Sequence, residues 1–376
     1  MALEFSARIA RIPVYPAADG YATQGPLARL ASNESPEPPF AAVREAIARE
    51  LTRLNRYPDP TNSALRRALA DRYGVPAARI AIGNGSCDIL LAAGEALLEP
   101  GAELVYSWPA FSVYPHLAAA SGARAITVPL DGDDRHDLKA MAAEVTVATR
   151  LAIVCNPNNP TSTALPLADV AAFLDEVPAH VCVIVDEAYC EFNLLDDPDA
   201  SIALLHDHPN LVLLRTFSKV YGLCGLRVGF ALCGSTDLPQ AVDQVRQPFF
   251  CNAVAQAAAV EALAHQDVVA DRVTRTIAER ISVGERLAAL GLHPADSQAN
   301  FCWFDLDGRA ARGIDDRDAD ARRRAAEREA QVVGGLAERG VLVRAGAALG
   351  RAGSLRVTYG TSAENERFLD ALAEVL

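Results

Sequence analysis

Leu211-Val212-Leu213-Leu214-Arg215-Thr216-Phe217-Ser218-Lys219-Val220-Tyr221-Gly222-Leu223-Cys224-Gly225-Leu226-Arg227-Val228-Gly229 holds one of only two lysines in the chain, the other being Lys139. Of the 35 basic residues, 33 are arginine. Arginine stays charged and cannot act as an amine nucleophile, whereas a lysine taken out of water sheds its proton and attacks carbonyls. The apolar run Leu211 to Leu214 reads as a strand, and the glycines beyond it mark where that strand ends. A drift of the whole composition toward arginine accounts for the shortage of lysine. It does not account for an amine among glycines, with Ser218 before it and Arg227 eight residues after. Lys139, in the polar stretch Asp131 to Lys139, reads as part of a solvated helix face.

Outward from this segment, short β-branched runs alternate with helix-like stretches between about residues 60 and 260. Strands are expected over Arg79–Ile82, Glu103–Ser107, Ala125–Leu130, Leu151–Cys155, Val181–Asp186, Leu211–Thr216 and Val228–Cys233. Several are apolar without alternation, the pattern of strands covered on both faces. Ala/Leu-rich stretches such as Asp88–Leu98 and Leu167–Glu176 supply the covering helices. The alternation predicts an α/β fold: a mostly parallel sheet of about seven strands sandwiched by helices. After about residue 265 the texture changes. A long helix over Gln266–Leu290 precedes strands at Ala299–Asp305, Val341–Arg344 and Leu355–Tyr359, then a final helix over Glu364–Leu376. The expected division is a large α/β domain over 46–264 and a smaller α+β domain over 265–376, joined by the N-terminal arm 1–45. Residues Gly308 to Glu329 are crowded with Arg and Asp and read as a solvated insertion, partly helical or disordered.

With 376 residues, two domains are expected, and 51% hydrophobic residues provide for a large core. The net charge of −13, without a long basic block, argues against a nucleic-acid surface. Any anionic substrate must therefore be caught by local arginines. The 8 cysteines show no CxxC pair and several lie in strand-like runs, so they read as small buried hydrophobes in a reducing compartment. The 7 histidines include no HExxH, and no metal site is expected. No apolar run approaches signal length or the ~20 residues of a membrane span, so a soluble, cytoplasmic protein is expected.

Four polar clusters fall where predicted strands end, the place where open α/β sheets bind ligands. Gly83-Asn84-Gly85-Ser86-Cys87-Asp88 can bring backbone N–H groups at a helix start close to an anion. It is equally readable as an ordinary glycine turn with a serine N-cap, and Asp88 breaks the dinucleotide pattern. Asn156-Pro157-Asn158-Asn159-Pro160-Thr161 by itself is a rigid loop. Asp186, ending the apolar strand before Glu187-Ala188-Tyr189, is costly to bury unless a cation or hydrogen-bond donor meets it. An arginine partner would serve. The Lys219 segment is the fourth. One cofactor asks for all of them together: pyridoxal 5′-phosphate needs a lysine for its aldehyde, a carboxylate for its ring nitrogen, and a glycine turn with Ser and Arg for its phosphate. Phe111, in Ser107-Trp108-Pro109-Ala110-Phe111, could cover the ring.

With these residues in view, the chain resembles the histidinol-phosphate aminotransferase family, among the fold-type I pyridoxal-phosphate-dependent aminotransferases. The likeness runs from Leu30-Ala31-Ser32-Asn33-Glu34 and Arg56-Tyr57-Pro58 to Leu355-Arg356-Val357-Thr358-Tyr359-Gly360-Thr361. It implies that Lys219 holds the cofactor through a Schiff base and then moves the proton at the substrate Cα. It further implies that Asp186 pairs with the ring nitrogen, that Asn159 and Tyr189 reach the phenolic oxygen, and that Phe111 stacks on the ring. Ser86, Cys87, Ser218 and Arg227 would hold the phosphate. Tyr57 would reach it from a neighbouring subunit, which implies a homodimer with shared sites. Arg356 resembles the arginine that binds the substrate anion, with Arg344 as a second clamp unless it is a surface arginine on an edge strand. Tyr21 and Asn33 are the expected contributions of the N-terminal arm to substrate binding. Two positions depart from the family pattern: Ser162 replaces a glycine, and Phe111 replaces a tyrosine.

The implied reaction is amino transfer between histidinol phosphate and 2-oxoglutarate. The competing readings are an aromatic amino acid (phenylalanine) aminotransferase, a pyridoxal-phosphate decarboxylase or lyase of a phosphorylated amino acid, and a non-catalytic cofactor-binding scaffold.

Overall fold

The computed structural model describes residues 3–6, 8–12, 14, 26–307 and 319–376. Strand β1 (Ala28–Arg29) lies in the N-terminal arm, followed by β2 (Ile80–Gly83), β3 (Glu103–Trp108), β4 (Arg124–Pro129) and β5 (Thr149–Cys155). Then come β6 (Cys182–Asp186), β7 (Leu211–Thr216), β8 (Gly229–Cys233), β9 (Phe301–Asp305), β10 (Val341–Leu342), β11 (Arg344–Ala345) and β12 (Ser354–Thr358). Strands β2 to β8 form one 7-stranded sheet in the order β2-β8-β7-β6-β5-β3-β4. Strand β8 runs antiparallel to both its neighbours and the remaining pairings are parallel.

Successive residues of the central strands enter two different cores. Val154, Val183, Val185, Leu211 and Leu213 pack on one face, and Leu151, Ile153, Ile184, Val212 and Leu214 on the other. None of these is more than 2% exposed. Burial on both faces is why the runs show no alternation of polarity. Strand β3 pairs with β4 on one side and β5 on the other. The order of strands reverses there, so the loops after β3 and β5 part and open a crevice at the carboxyl ends of the strands.

A second sheet, β11-β12-β9, is antiparallel, and β1 pairs in parallel with β10. Ala28 and Leu30 of the arm share a core with Phe304, Leu336, Val357 and Phe368. The single strand expected over Val341–Arg344 is split. Val341 and Leu342 pair with the arm, whereas Arg344 and Ala345 pair with β12, setting Arg344 directly opposite Arg356. Two edges compete for one stretch of chain and each takes two residues.

The insertion read over Gly308 to Glu329 divides as well. Residues 308–318 lie outside the described residues; the helical part runs over Ala319–Glu338, 20 residues, with one face buried and not solvated throughout. Its buried positions, Ala325, Glu329, Val332 and Leu336, recur at helical spacing. A carboxylate at the second of them hides the stripe in the sequence. Among the described residues no helix is long and apolar enough to cross a membrane.

Candidate active site

A cavity of about 390 Å³ opens at the carboxyl ends of β6 and β7. In a chain of net charge −13, its wall gathers Lys219, Arg227, Arg344 and Arg356 with Asp186 and Glu34. Local cations, not the overall field, make this site attractive to anions.

Strand β7 ends at Thr216, whose Oγ1 accepts from the Ser218 N–H at 3.1 Å and donates to Ser218 Oγ at 2.9 Å. This turn lifts Lys219 over the sheet edge. Gly222, at φ +70°, closes the segment, and a Cβ there would lie 2.9 Å from Arg272 Nη1. Lys219 Nζ donates to the Ser32 carbonyl at 3.3 Å and sits 5.6 Å from the centre of the Tyr189 ring. Burial, with the positive charge of Arg356, pushes its pKa down to about 8.

Asp186 ends β6, 3% exposed. Tyr114 Oη donates to its Oδ2 at 2.8 Å and the Ala188 N–H to its Oδ1 at 3.2 Å. Burial raises its pKa to about 6, against the pull of those hydrogen bonds. An arginine does meet a carboxylate here, but that of the next residue: Arg215 Nε donates to Glu187 Oε2 at 2.8 Å, and its Nη1 to Asp199 at 2.6 Å. Asp186 is therefore left with a phenol and an amide, and with an open face toward the cavity it lines. Tyr114, three residues after Phe111, escaped the sequence reading. An aromatic with a polar handle on the same loop was the available signal.

The helix Ser86–Leu97 begins at the glycine turn, and its N-cap is Gly85 at φ +84°, without a side-chain cap. Serine is thus the first helical residue and not the cap. Asp88 Oδ2 accepts from the Asn84 N–H at 2.9 Å, holding the turn. A Cβ on Gly85 would stand 2.5 Å from Arg227 Nη2, so the absent side chain is what lets the guanidinium lie against the helix start. Arg227 itself adopts φ +61° and donates to the Cys224 carbonyl at 2.7 Å. Ser86, Cys87, Ser218 and Arg227 all reach the same cavity.

The opposite wall comes from the second sheet and the arm. Arg356 Nη1 donates to Asn159 Oδ1 at 2.6 Å and its Nη2 to the Ala31 carbonyl at 2.6 Å. Asn33 Nδ2 donates to Tyr189 Oη at 3.0 Å, and Asn33 Oδ1 accepts from Thr358 Oγ1 at 3.2 Å, so its amide serves the wall. Arg344 lines the cavity too and is 7% exposed, which removes the reading as a surface arginine. Phe111 and Leu349 add apolar surface. Tyr57 stands apart: it is 81% exposed and stacks on Phe249 at 4.4 Å. Tyr21 lies outside the described residues. Ser162 keeps the glycine-like conformation at φ +62°, fully buried, its N–H donating to the Asn158 carbonyl at 2.8 Å.

These groups fit pyridoxal 5′-phosphate. A desolvated amine, a buried carboxylate with one face open, and a helix start cleared by a glycine for an arginine match its aldehyde, ring nitrogen and phosphate in one cavity.

Comparison with known proteins agrees. An aromatic amino acid aminotransferase of Thermobifida fusca is 49% identical over 287 residues, 75% of this chain and 78% of that protein. A histidinol-phosphate aminotransferase of Geobacillus thermodenitrificans is 40% identical over 93% of this chain and 90% of its own. The crystal structure of histidinol-phosphate aminotransferase from Sinorhizobium meliloti, in complex with pyridoxal-5′-phosphate, superposes with a TM-score of 0.85 at 31% identity, covering 100% of this chain and 98% of that one. The family model for aminotransferase class I and II matches residues 26–372, and the chain belongs to that family.

Proposed function

We propose that this aminotransferase moves an amino group between an aromatic L-amino acid and 2-oxoglutarate, with pyridoxal 5′-phosphate as cofactor. The observation that carries the reading is a single cavity joining Lys219 to a fixed arginine, Arg356, and to the apolar side chain of Leu349, with Phe111 left to the cofactor ring. That combination suits a carboxylate attached to a flat apolar side chain. Among the most similar relatives, those named for aromatic substrates outnumber those named for histidinol phosphate, which supports it, although one of each kind, compared over 348 residues, is equally close, 39% and 40% identical. This reverses the order that the residues alone suggested.

When bound, the cofactor supplies an aldehyde carbon for the amine and an electron-withdrawing ring. Lys219, Asp186, and Ser86, Cys87, Ser218 and Arg227 would hold its aldehyde, ring nitrogen and phosphate, with Phe111 over the ring and Asn159 and Tyr189 at its phenolic oxygen. Lys219, with a pKa near 8, is partly neutral at physiological pH and can take the proton from the substrate Cα. Tyr114 and Ala188 hold the Asp186 carboxylate in one orientation, and its charge persists above about pH 6. Arg356, held by Asn159 and Ala31, meets the substrate carboxylate without having to be ordered at that moment. A cytoplasmic homodimer belongs to the same proposal: Tyr57, exposed and outside its own cavity, is available to a second copy.

A second reading, histidinol phosphate as amino donor, is favoured by Arg344 standing opposite Arg356. Two guanidinium groups match a phosphate dianion. Steady-state kcat/KM for phenylalanine and for histidinol phosphate, each with 2-oxoglutarate, decides between them. The expected outcome is at least a tenfold preference for phenylalanine. A tenfold preference for histidinol phosphate installs the second reading, and turnover with neither overturns both.

A further inference from the structure

The hairpin from Arg344 to Arg356 brings Arg344, Leu349 and Arg356 to the cavity, and we propose that Glu329, outside the cavity, is the residue that positions it. The inference deepens the reading of this wall as the substrate-anion site and rests on that reading.

Glu329 is 3% exposed on the helix Ala319–Glu338. Both its carboxylate oxygens accept from the Ala347 N–H at 3.1 Å, and Oε2 also accepts from the Gly353 N–H at 2.8 Å. The N–H groups of Ser354 and Gly346 further favour its charge, although burial, the larger influence, raises its pKa. A carboxylate from one helix thus closes over both ends of the bend that links β11 to β12.

The bend is built for that approach. A Cβ on Gly353, at φ +85°, would lie 3.0 Å from the Cβ of Ala325, one turn before Glu329 on the same helix face. A Cβ on Gly346 would lie 2.6 Å from the Ser354 carbonyl. At the tip, Arg351 Nη1 donates to Asp134 Oδ1 at 2.8 Å. An apolar side chain would fill the site of Glu329 without the cost of burying a charge. What a carboxylate adds is directional: it fixes the N–H groups of the bend, and through them the pairing of Arg344 with Arg356. Arg344 flanks, and Leu349 lies within, the stretch that Glu329 clasps at Ala347 and Gly353, so they are the cavity residues closest to its hold.

The test uses Glu329→Gln in the full-length holoenzyme, which keeps the shape but turns an amide against the N–H groups. KM for 2-oxoglutarate should rise at least tenfold while kcat stays within threefold and the visible absorbance of the bound cofactor is unchanged. Calorimetry with succinate, a dicarboxylate that cannot react, should show the same loss of affinity. Unchanged KM and Kd overturn the proposal, as does a fall in kcat accompanied by loss of cofactor. If Glu329→Gln does not fold, Glu329→Asp carries the test: a raised KM at preserved kcat supports the role, and an unchanged KM overturns it. Arg344→Gln, measured in parallel, separates the two levels. If neither it nor Arg356→Gln raises KM, the reading of the wall as an anion site fails. A raised KM in Arg344→Gln with none in the Glu329 variants removes only the role of Glu329.

Discussion

The two walls of the cavity are built differently. On one side, Ser86, Asp186, Ser218, Lys219 and Arg227 lie at the borders of strands in a single sheet, each placed by a local turn. On the other side, Asn33 bonds Tyr189, and Arg356 bonds Asn159 and the Ala31 carbonyl, across separations of 156, 197 and 325 positions in the chain. The first wall follows mainly from the strands and their turns, with Tyr114 and the Ser32 carbonyl adding distant holds on Asp186 and Lys219. The second needs the arm, the small sheet and the large sheet to meet. On the proposed reading, the cofactor's aldehyde, ring nitrogen and phosphate fall to the local wall, and the substrate's carboxylate to Arg356 on the assembled one.

The sharpest test of that contrast is Lys219→Ala, which should lower turnover by about 10⁴-fold or more while leaving the fold intact by circular dichroism. A borohydride-trapped cofactor adduct on the Lys219 peptide should vanish with it. The same lysine gives a pH signature in cofactor-free protein. Its folded pKa, about 8, lies below the usual 10.5, so its contribution to stability is lost as pH falls from 10.5 through 8. Lys219→Met should therefore be the more stable protein at pH 7, by roughly 1–3 kcal/mol, with the gap closing as pH rises above 10 in urea titrations.

On the assembled wall the expected effect is smaller. Arg356→Lys loses one of two directed contacts and should raise KM for both substrates by about 10- to 100-fold, with kcat affected less. An equal loss in kcat would erase the distinction between the walls. Tyr114→Phe should cost about tenfold or less in kcat/KM. Because the phenol holds the Asp186 pKa down, its removal should move the acidic limb of the pH profile upward from about 6. The smallest effect is expected at Ser162. Its φ of +62° is left-handed, so Ser162→Gly should add up to about 1 kcal/mol of stability in thermal melts with activity unchanged.

Legibility followed the same division. Each of the seven expected strands of the large sheet begins and ends within two residues of the observed one; in the central strands both-face burial writes an uninterrupted apolar run, whereas the edge strand Arg124–Pro129 is largely exposed. The residues at the ends of those strands were readable by their chemistry. Tyr114 was not, because its partner Asp186 lies 72 residues away and is reached only once β3 and β6 share a sheet. Glu329 was misread because a charge in an Arg-rich stretch is ordinarily solvated, and nothing local says that it faces a bend in another element. The split of Val341–Arg344 between two sheets was equally hidden, since pairing partners leave no mark on so short a strand.

By itself, then, the order of residues determined a parallel α/β sheet and the reactive groups at its edge, because strand burial and turn chemistry act over a few neighbouring positions. What holds Asp186, how Val341–Arg344 divides between two sheets, and where Glu329 points were decided only by tertiary structure. Those contacts join residues far apart in the chain, and each exists only after the two sheets and the N-terminal arm have packed together.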